Sequence, residues 1–155
     1  MTTATVPVQI RAPAPSDEAA WRALWTAYLD FYRTAVPEEV QETTFARLLG
    51  DDPQDFHARL ACLDGRPVGL VHFLFHRHCW RIENVCYLQD LYAEPAARGI
   101  GVGRALIEAV YAAADAAGAP RVYWLTRAGN APARALYDRV GRATDFIKYD
   151  RAGGA

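Results

Sequence analysis

The passage from Tyr87 to Ala117 limits the fold more than any other. Tyr87–Ala93 reads as a strand and runs through Glu94-Pro95-Ala96-Ala97 into Arg98-Gly99-Ile100-Gly101-Val102-Gly103-Arg104, where glycines alternate with larger residues between two arginines. From Gly101 to Ala117 the residues Val102, Leu106, Ala109, Val110, Ala113 and Ala117 recur on one helical face. Gly118 is the stop signal and Pro120 stands just beyond it. Arg121–Thr126 then reads as a buried strand. A strand, a long helix and a second strand in this order require a parallel crossover, so the fold class is mixed α/β.

The preceding half supplies antiparallel structure. Val8–Arg11 is a short first strand that ends before Pro13. Ser16-Asp17-Glu18 is a helix N-terminus, after which Trp21, Trp25, Tyr28 and Tyr32 recur along one face. Val40–Leu49 is a second, shorter helix, ended by Gly50-Asp51-Asp52-Pro53. His57–Leu63 and Pro67–His76 are β-rich and joined by Asp64-Gly65, a strong hairpin signal. His76–Trp80 reads as the next turn and Arg81–Ala93 as a long third strand. Beyond the crossover, Ala131–Val140 is a helix and Asp145–Tyr149 a last strand. The expected architecture is one domain over residues 1–155, a central mostly antiparallel sheet with one parallel crossover and helices on both faces. Residues 1–7 and 152–155 are expected to fray.

Composition excludes several classes of function. At 155 residues the chain is long enough to bury a core, and 52% hydrophobic with 23% charged residues is the balance of a soluble globular protein. No stretch approaches the ~18 apolar residues of a membrane span. The start, MTTATVPVQI, lacks a basic segment followed by an apolar one, so no secretory signal is expected. Cys62, Cys79 and Cys86 are odd in number and show no C-x-x-C spacing, which points to reduced thiols in a cytoplasmic protein and to no metal site. A net charge of −1 argues against a nucleic-acid surface.

The glycines at the start of the long helix suggest an anion site. A helix N-terminus offers unpaired N–H groups and a partial positive charge, and glycines let a phosphate approach the backbone. Tight strand–helix packing is the other use for small residues there. Two phosphate motifs fail. After Gly99-x-Gly101 the third position of a dinucleotide fingerprint falls on Arg104, and Tyr123-Trp124-Leu125 stands where a ribose-binding acid is needed. A P-loop needs Gly-Lys-Ser/Thr, and Lys148 is the only lysine.

Arg98-x-x-Gly101-x-Gly103 between a strand and a long helix resembles the acyl-CoA motif of the GNAT superfamily of N-acetyltransferases. Asn130-Ala131-Pro132-Ala133-Arg134-Ala135-Leu136-Tyr137-Asp138-Arg139-Val140-Gly141 is similar to the family's N-x-x-A-x-x-x-Y-x-x-x-G segment. Tyr87–Ala93 resembles its central strand, and Asp145–Tyr149 fits its ending. The likeness is strong from about Tyr87 to Gly141 and topological before that. It is closest to the small polyamine and histone acetyltransferases. Where the polyamine enzymes carry an acid before the strand aspartate, this chain has Gln89.

The resemblance implies acetyl-CoA as acyl donor and direct transfer of its acetyl group to a primary amine of a small molecule or peptide. Arg98, Gly99, Ile100, Gly101, Val102, Gly103 and Arg104 would hold the pyrophosphate. Leu91, Tyr92 and Ala93 would pair their backbone with the pantetheine amides, as an added strand pairs with a sheet edge. Asn130 and Ala133 would line the pantetheine arm, and Tyr137, two helical turns after Asn130, would protonate the leaving thiolate. In the family the two central strands splay at this point and free an N–H for the thioester oxyanion.

The acceptor side is less specified by its residues. An alkyl ammonium of pKa near 10.4 is only about 0.04% neutral at pH 7, a penalty near 4.6 kcal/mol, so some group must take its proton. Asp90 is the expected base, with Glu83, His76 and His78 as alternatives acting through water. Tyr28, Tyr32, Gln89 and Trp124 are the expected acceptor wall, the tyrosines holding a cationic amine by cation–π contact. Glu38, Glu39 and Glu42 add negative charge near them, or form a solvated face. Trp21, Trp25, Tyr28 and Tyr32 are most simply a core-facing stripe, the two tyrosines near the helix end being the ones that can also line the acceptor pocket. No nucleic acid or membrane partner is expected, and a homodimer is allowed. The rival reading is a non-catalytic acyl-CoA-binding regulatory module on the same fold; an enzyme acting on tRNA or DNA is opposed by the acidic balance.

Overall fold

The structure, a computed structural model, describes residues 7–153. The fraying expected at 1–7 and 152–155 falls almost wholly outside them. Two compact units are distinguished, one up to Leu125 and one from Thr126.

The first unit is built on a sheet of five strands: β1 (Gln9–Arg11), β2 (His57–Leu63), β3 (Arg66–His76), β4 (Val85–Ala93) and β5 (Val122–Tyr123). Spatial order follows chain order, with antiparallel pairing throughout except the parallel pair β4 and β5. Helices α1 (Glu18–Phe31) and α2 (Glu38–Leu49) precede β2, and α3 (Val102–Ala116) makes the crossover from β4 to β5.

Local chemistry explains most boundaries. Asp64 and Gly65 both take positive φ, 49° and 76°, the conformation a two-residue hairpin between β2 and β3 requires. Asp17 stands at the N-cap of α1, but its side chain does not cap the helix. Its carboxylate instead accepts two bonds from Arg11, at 2.6 and 2.9 Å, and one from the Ala14 N–H at 2.7 Å. The Arg11 partner holds the Asp17 carboxyl below its ordinary range and ties β1 to the start of α1. Gly118, at φ 70°, ends α3, and the next residue closes the turn with Ala119 N–H to Ala114 O at 2.9 Å.

The two sheet faces bury different helices. Trp21, Leu24 and Trp25 of α1 and Phe45 and Leu48 of α2 form one core with Ala58, Leu60, Cys62 and Leu70. The opposite face, carrying Gly69, meets α3 through Val102 and Leu106. Helix α3 buries Val102, Leu106, Ile107, Val110 and Ala114. The expected stripe therefore turns: Ile107 and Ala114 face inward, while Ala117 lies past the helix end and is exposed.

β2 spans the expected residues and β3 gains Arg66, whereas the strands on either side of the crossover are shorter than expected. Arg81–Asn84 is part of the loop between β3 and β4, because His76, the last residue of β3, pairs with Val85 and leaves nothing for earlier residues to pair with. Ile82 is 92% exposed there. Of Arg121–Thr126 only Val122 and Tyr123 are strand, opposite Cys86 and Tyr87.

The second unit holds α4 (Ala131–Val140), as expected. Asn130 is its N-cap residue, but its side chain makes no capping bond; its Nδ2 reaches Thr126 Oγ1 at 3.4 Å. The expected strand Asp145–Tyr149 is not formed. Strand character needs a ladder partner, and among the described residues none pairs with this segment, leaving Phe146, Ile147 and Tyr149 exposed.

Gly69 is the point where α3 sits against the sheet. A Cβ there would stand 2.9 Å from Tyr92 O, 2.9 Å from Val102 Cγ1 and 3.3 Å from Leu106 Cδ1. Gly69→Ala is expected to force the first turn of α3 off β3 and cost about 1–3 kcal/mol. A thermal melt should show Tm lowered by several degrees; an unchanged Tm would mean that the contact is not tight.

Candidate active site

The glycine loop has the form an anion cradle needs. Gly99 and Gly101 adopt φ of 83° and 89°, which side-chain-bearing residues rarely hold, and a Cβ at either would meet open space. The glycines therefore serve backbone conformation and access, not tight packing. Ala105 N–H to Gly101 O, at 2.9 Å, is the first bond of α3, so the N–H groups of Val102, Gly103 and Arg104 have no partner within the helix. Arg98 donates from Nε to Ala93 O at 3.1 Å, fastening the loop to the end of β4. Arg104 Nε pairs with Glu108 at 2.9 Å, at the exposed surface.

Strand β4 changes partners along its length. Its pairing with β5 stops at Tyr87 opposite Tyr123, while β4 itself continues to Ala93. From Leu88 onward its β5-side edge, including Leu91, Tyr92 and Ala93, has no strand partner among the described residues. An extended amide-bearing ligand can bond such an edge. On the other side, Phe73 opposes Leu88 and His72 opposes Asp90, so Gln89 is the extra residue of a β-bulge. Successive β3 residues point to opposite faces, so the bulge sends Leu88 toward α3 and Asp90 toward α1.

Asp90, only 8% exposed, meets a polar network in the α1-side core. Its Oδ2 lies 2.8 Å from His72 Nδ1 and accepts from Trp25 Nε1 at 3.3 Å. Trp21 Nε1 donates to His72 Nε2 at 2.8 Å, and His72 is 3% exposed. Around the carboxylate stand phenols. Burial, and then the Asp90 charge, push the Tyr28 and Tyr87 hydroxyls above the ordinary tyrosine range. Tyr87 stacks on Tyr123 at 4.8 Å with planes 11° apart. His76 Nδ1 lies 2.8 Å from Arg77 O and so donates there, which leaves its Nε2 to accept from the Tyr123 hydroxyl at 2.7 Å. Tyr32 packs on Tyr28 at 5.0 Å. The result is a carboxylate with neutral aromatic rings on its flank, an arrangement that suits a cation.

The structure thus brings Asp90, Tyr28 and Tyr32 together, with Gln89 exposed at the bulge beside them. Trp124 goes elsewhere: its ring packs at 6.3 Å against Tyr111 of α3, and Tyr123 takes the place expected for it. Glu83 lies in the β3–β4 loop, 3.8 Å from Arg81, and His78 Nδ1 accepts the Trp80 N–H at 3.1 Å. Sequence reasoning missed His72, Tyr87 and Tyr123. His72 was detectable as the lone polar residue in the apolar run Val68-Gly69-Leu70-Val71-His72-Phe73. In the second unit, Asn130, Ala133 and Tyr137 all lie at or within α4, with Asn130 O accepting from the Arg134 N–H at 3.0 Å. No group of three metal-ligating side chains occurs among the described residues. No helix among them is long and apolar enough to cross a membrane.

The cradle, the open β4 edge and the buried carboxylate suit a thioester donor with a pyrophosphate and an amide-bearing arm, and an amine acceptor. Residues 21–141 match the acetyltransferase (GNAT) family. The D-amino-acid N-acetyltransferase HPA3 of Saccharomyces cerevisiae (strain ATCC 204508 / S288c) is 42% identical over 131 residues, 84% of this chain and 81% of its own. A ribosomal-protein-alanine N-acetyltransferase from Brucella melitensis biovar Abortus 2308 shares the fold at TM-score 0.74 and 21% identity, over 94% of this chain and 98% of that one. The aminoglycoside N-acetyltransferase AAC(6')-Iy, solved in complex with CoA, does so at TM-score 0.79 and 18% identity, over 96% of each chain. A non-catalytic acyl-CoA module finds no support in these relatives. The chain belongs to the GNAT family: it is an acetyl-CoA-dependent N-acetyltransferase that moves an acetyl group to an amine.

Proposed function

We propose that the acceptor is the α-amine of a D-amino acid, seated at Asp90. The observation that carries this is the 42% identity to HPA3, named for D-amino acids, across four-fifths of both chains. The site chemistry agrees with it. An ammonium fits a buried carboxylate flanked by Tyr28 and Tyr87, and Gln89 stands where a polyamine enzyme carries a second acid. Acetyl-CoA with matched D- and L-amino acids and spermidine, read as CoA release, tests the assignment. Faster release with the D-series is expected; release with spermidine alone would overturn it.

The reading assigns each residue a role. The loop Arg98–Arg104 holds the donor pyrophosphate on backbone N–H groups at the start of α3, and Leu91–Ala93 bond its amides. Asp90, directly or through water, takes the proton that the amine loses, and the freed nitrogen attacks the thioester carbonyl carbon. As the C–N bond forms and the C–S bond breaks, the Tyr137 hydroxyl gives its proton to the departing sulfur, and the second proton shed by the acylated nitrogen returns through water to the phenolate, while Asn130 and Ala133 border the arm. The whole acts as one domain. Three free cysteines, one of them the buried Cys86 whose thiol burial raises to about 12, support the cytoplasm as its compartment. A homodimer is its assembly, supported by the exposed Phe146, Ile147 and Tyr149; no nucleic acid or membrane takes part.

Three substitutions probe these roles. Gly101→Glu places a side chain and a negative charge in the cradle at a φ it resists, so the Tm rise caused by acetyl-CoA should disappear; a persisting rise would sink the pyrophosphate site. Asp90→Asn should lower kcat by about 10²- to 10⁴-fold while the acetyl-CoA Tm rise stays. Tyr137→Phe should lower kcat by roughly 10²-fold with little change in KM, since the proton moves only as the thiolate leaves. Wild-type turnover in the Phe variant would remove Tyr137 from the chemistry.

A further inference from the structure

The Trp21–His72–Asp90 chain has a direction. Trp21 Nε1–H can only donate, and it lies 2.8 Å from His72 Nε2, so that nitrogen must offer its lone pair. His72 therefore carries its proton on Nδ1 and donates it to Asp90 Oδ2, 2.8 Å away. The other tautomer would set two N–H groups against each other and turn a bare lone pair toward a carboxylate oxygen. With His72 only 3% exposed, either clash carries the full cost of a buried mismatch. Trp25 adds a second donor to the same oxygen at 3.3 Å. With its Nε2 lone pair engaged, His72 is not itself placed to accept a substrate proton.

We infer that His72 and Trp21 are positioning residues for acetyl transfer: Trp21 sets the tautomer of His72, and His72, with Trp25, clamps Oδ2 of Asp90. The carboxylate then meets the acceptor amine through the edge the two N–H groups leave, beside the Tyr28 hydroxyl, in one orientation. Its rotation is fixed before substrate arrives, so none of the binding energy is spent on ordering it. Trp21 and Trp25 thus have a second role beside packing, four residues apart on one helical face with both indole N–H groups aimed at β3 and β4. The inference rests on Asp90 as the acceptor-side carboxylate.

Nitrogen-15 NMR of histidine-labelled protein reads the tautomer without any acceptor. His72 should show a protonated Nδ1 and an unprotonated Nε2; a proton on Nε2 overturns the inference. Kinetics with acetyl-CoA and D-phenylalanine supply the second arm. His72→Leu removes the donor and should lower kcat roughly 10- to 100-fold, the usual loss when an orienting partner is removed. His72→Asn can present an amide N–H near the position of Nδ1 and should recover most of that loss, with the acetyl-CoA Tm rise intact in both. Trp21→Phe should keep the ring packing yet give a mixture of His72 tautomers and a smaller fall in kcat. Equal impairment of the Leu and Asn variants, or wild-type kcat in His72→Leu, overturns the positioning role. Asp90→Asn in the same assay separates the two claims. If it is inactive while His72→Leu keeps full activity, only this inference fails; if it is fully active, the reading of Asp90 fails as well. Should the His72 variants not fold, the NMR of the wild type and of Trp21→Phe decides the matter, a tautomer unchanged by Trp21→Phe counting against it.

Discussion

Between His72 and Phe73 the β3–β4 ladder takes up one extra residue on the β4 side, and the active-site architecture depends on that insertion. Without Gln89 as a bulge, Leu88 and Asp90 would share a face, because side chains two apart in a regular strand do. The bulge separates them: Leu88 stays with the α3-side core while Asp90 enters the α1-side core. It also increases local twist, and beyond it β4 and β5 no longer pair. One irregularity thus accompanies two functional features, a carboxylate turned into a polar pocket and a strand edge left open beside the glycine loop.

A carboxylate in that position demands compensation. Burying an unpartnered charge costs several kcal/mol, and a half-satisfied polar network is worse than none. His72 and Trp25 meet this demand at 2.8 and 3.3 Å from the carboxylate, and Trp21 supports His72 from behind at 2.8 Å, all three being residues that also fill the core. The indoles give large apolar area and one donor each. The phenols of Tyr28 and Tyr87 stay protonated for the same reason the carboxylate needs partners, since burial and the nearby negative charge both oppose a second anion. The apolar core and the polar network on this face therefore share residues, so a change made to the packing of Trp21 or Trp25 also changes the hydrogen bonds around Asp90.

The donor side follows a different logic. Gly99 and Gly101 bury nothing and touch nothing with the space a Cβ would fill. They shape the backbone that enters a 15-residue helix, whose first N–H groups have no partner within it. Gly69 is the reverse case, a glycine used because α3 and the Tyr92 carbonyl leave no room. Together the two kinds hold α3 close on the sheet and keep its N-terminus accessible.

Much of this was legible in the chain. The Asp64-Gly65 hairpin, the glycine loop, Gly118 and the crossover are local signals, each set by the φ a residue tolerates or by the period of apolar side chains, and each reappears in the structure. The grouping of Asp90 with Tyr28 and Tyr32 was also within reach. Signals that need a partner were not. Arg81–Asn84, Trp124–Thr126 and Asp145–Tyr149 have β-forming residues but no ladder to join, so they are not strands. Trp124, just past the end of β5, packs on Tyr111 of α3, while Tyr123 stacks on Tyr87, and which of two adjacent aromatics meets which neighbour is set by tertiary contacts. Sequence by itself determined the α/β class, the order of elements from β1 to α4 and the glycine loop before α3, since these depend on neighbours along the chain. Only the tertiary structure decided the bulge at Gln89 and the polar contacts of Trp21 with His72 and of His72 and Trp25 with Asp90. Those rest on hydrogen bonds between residues 18 to 65 positions apart, and no local pattern encodes which lone pair a donor will find.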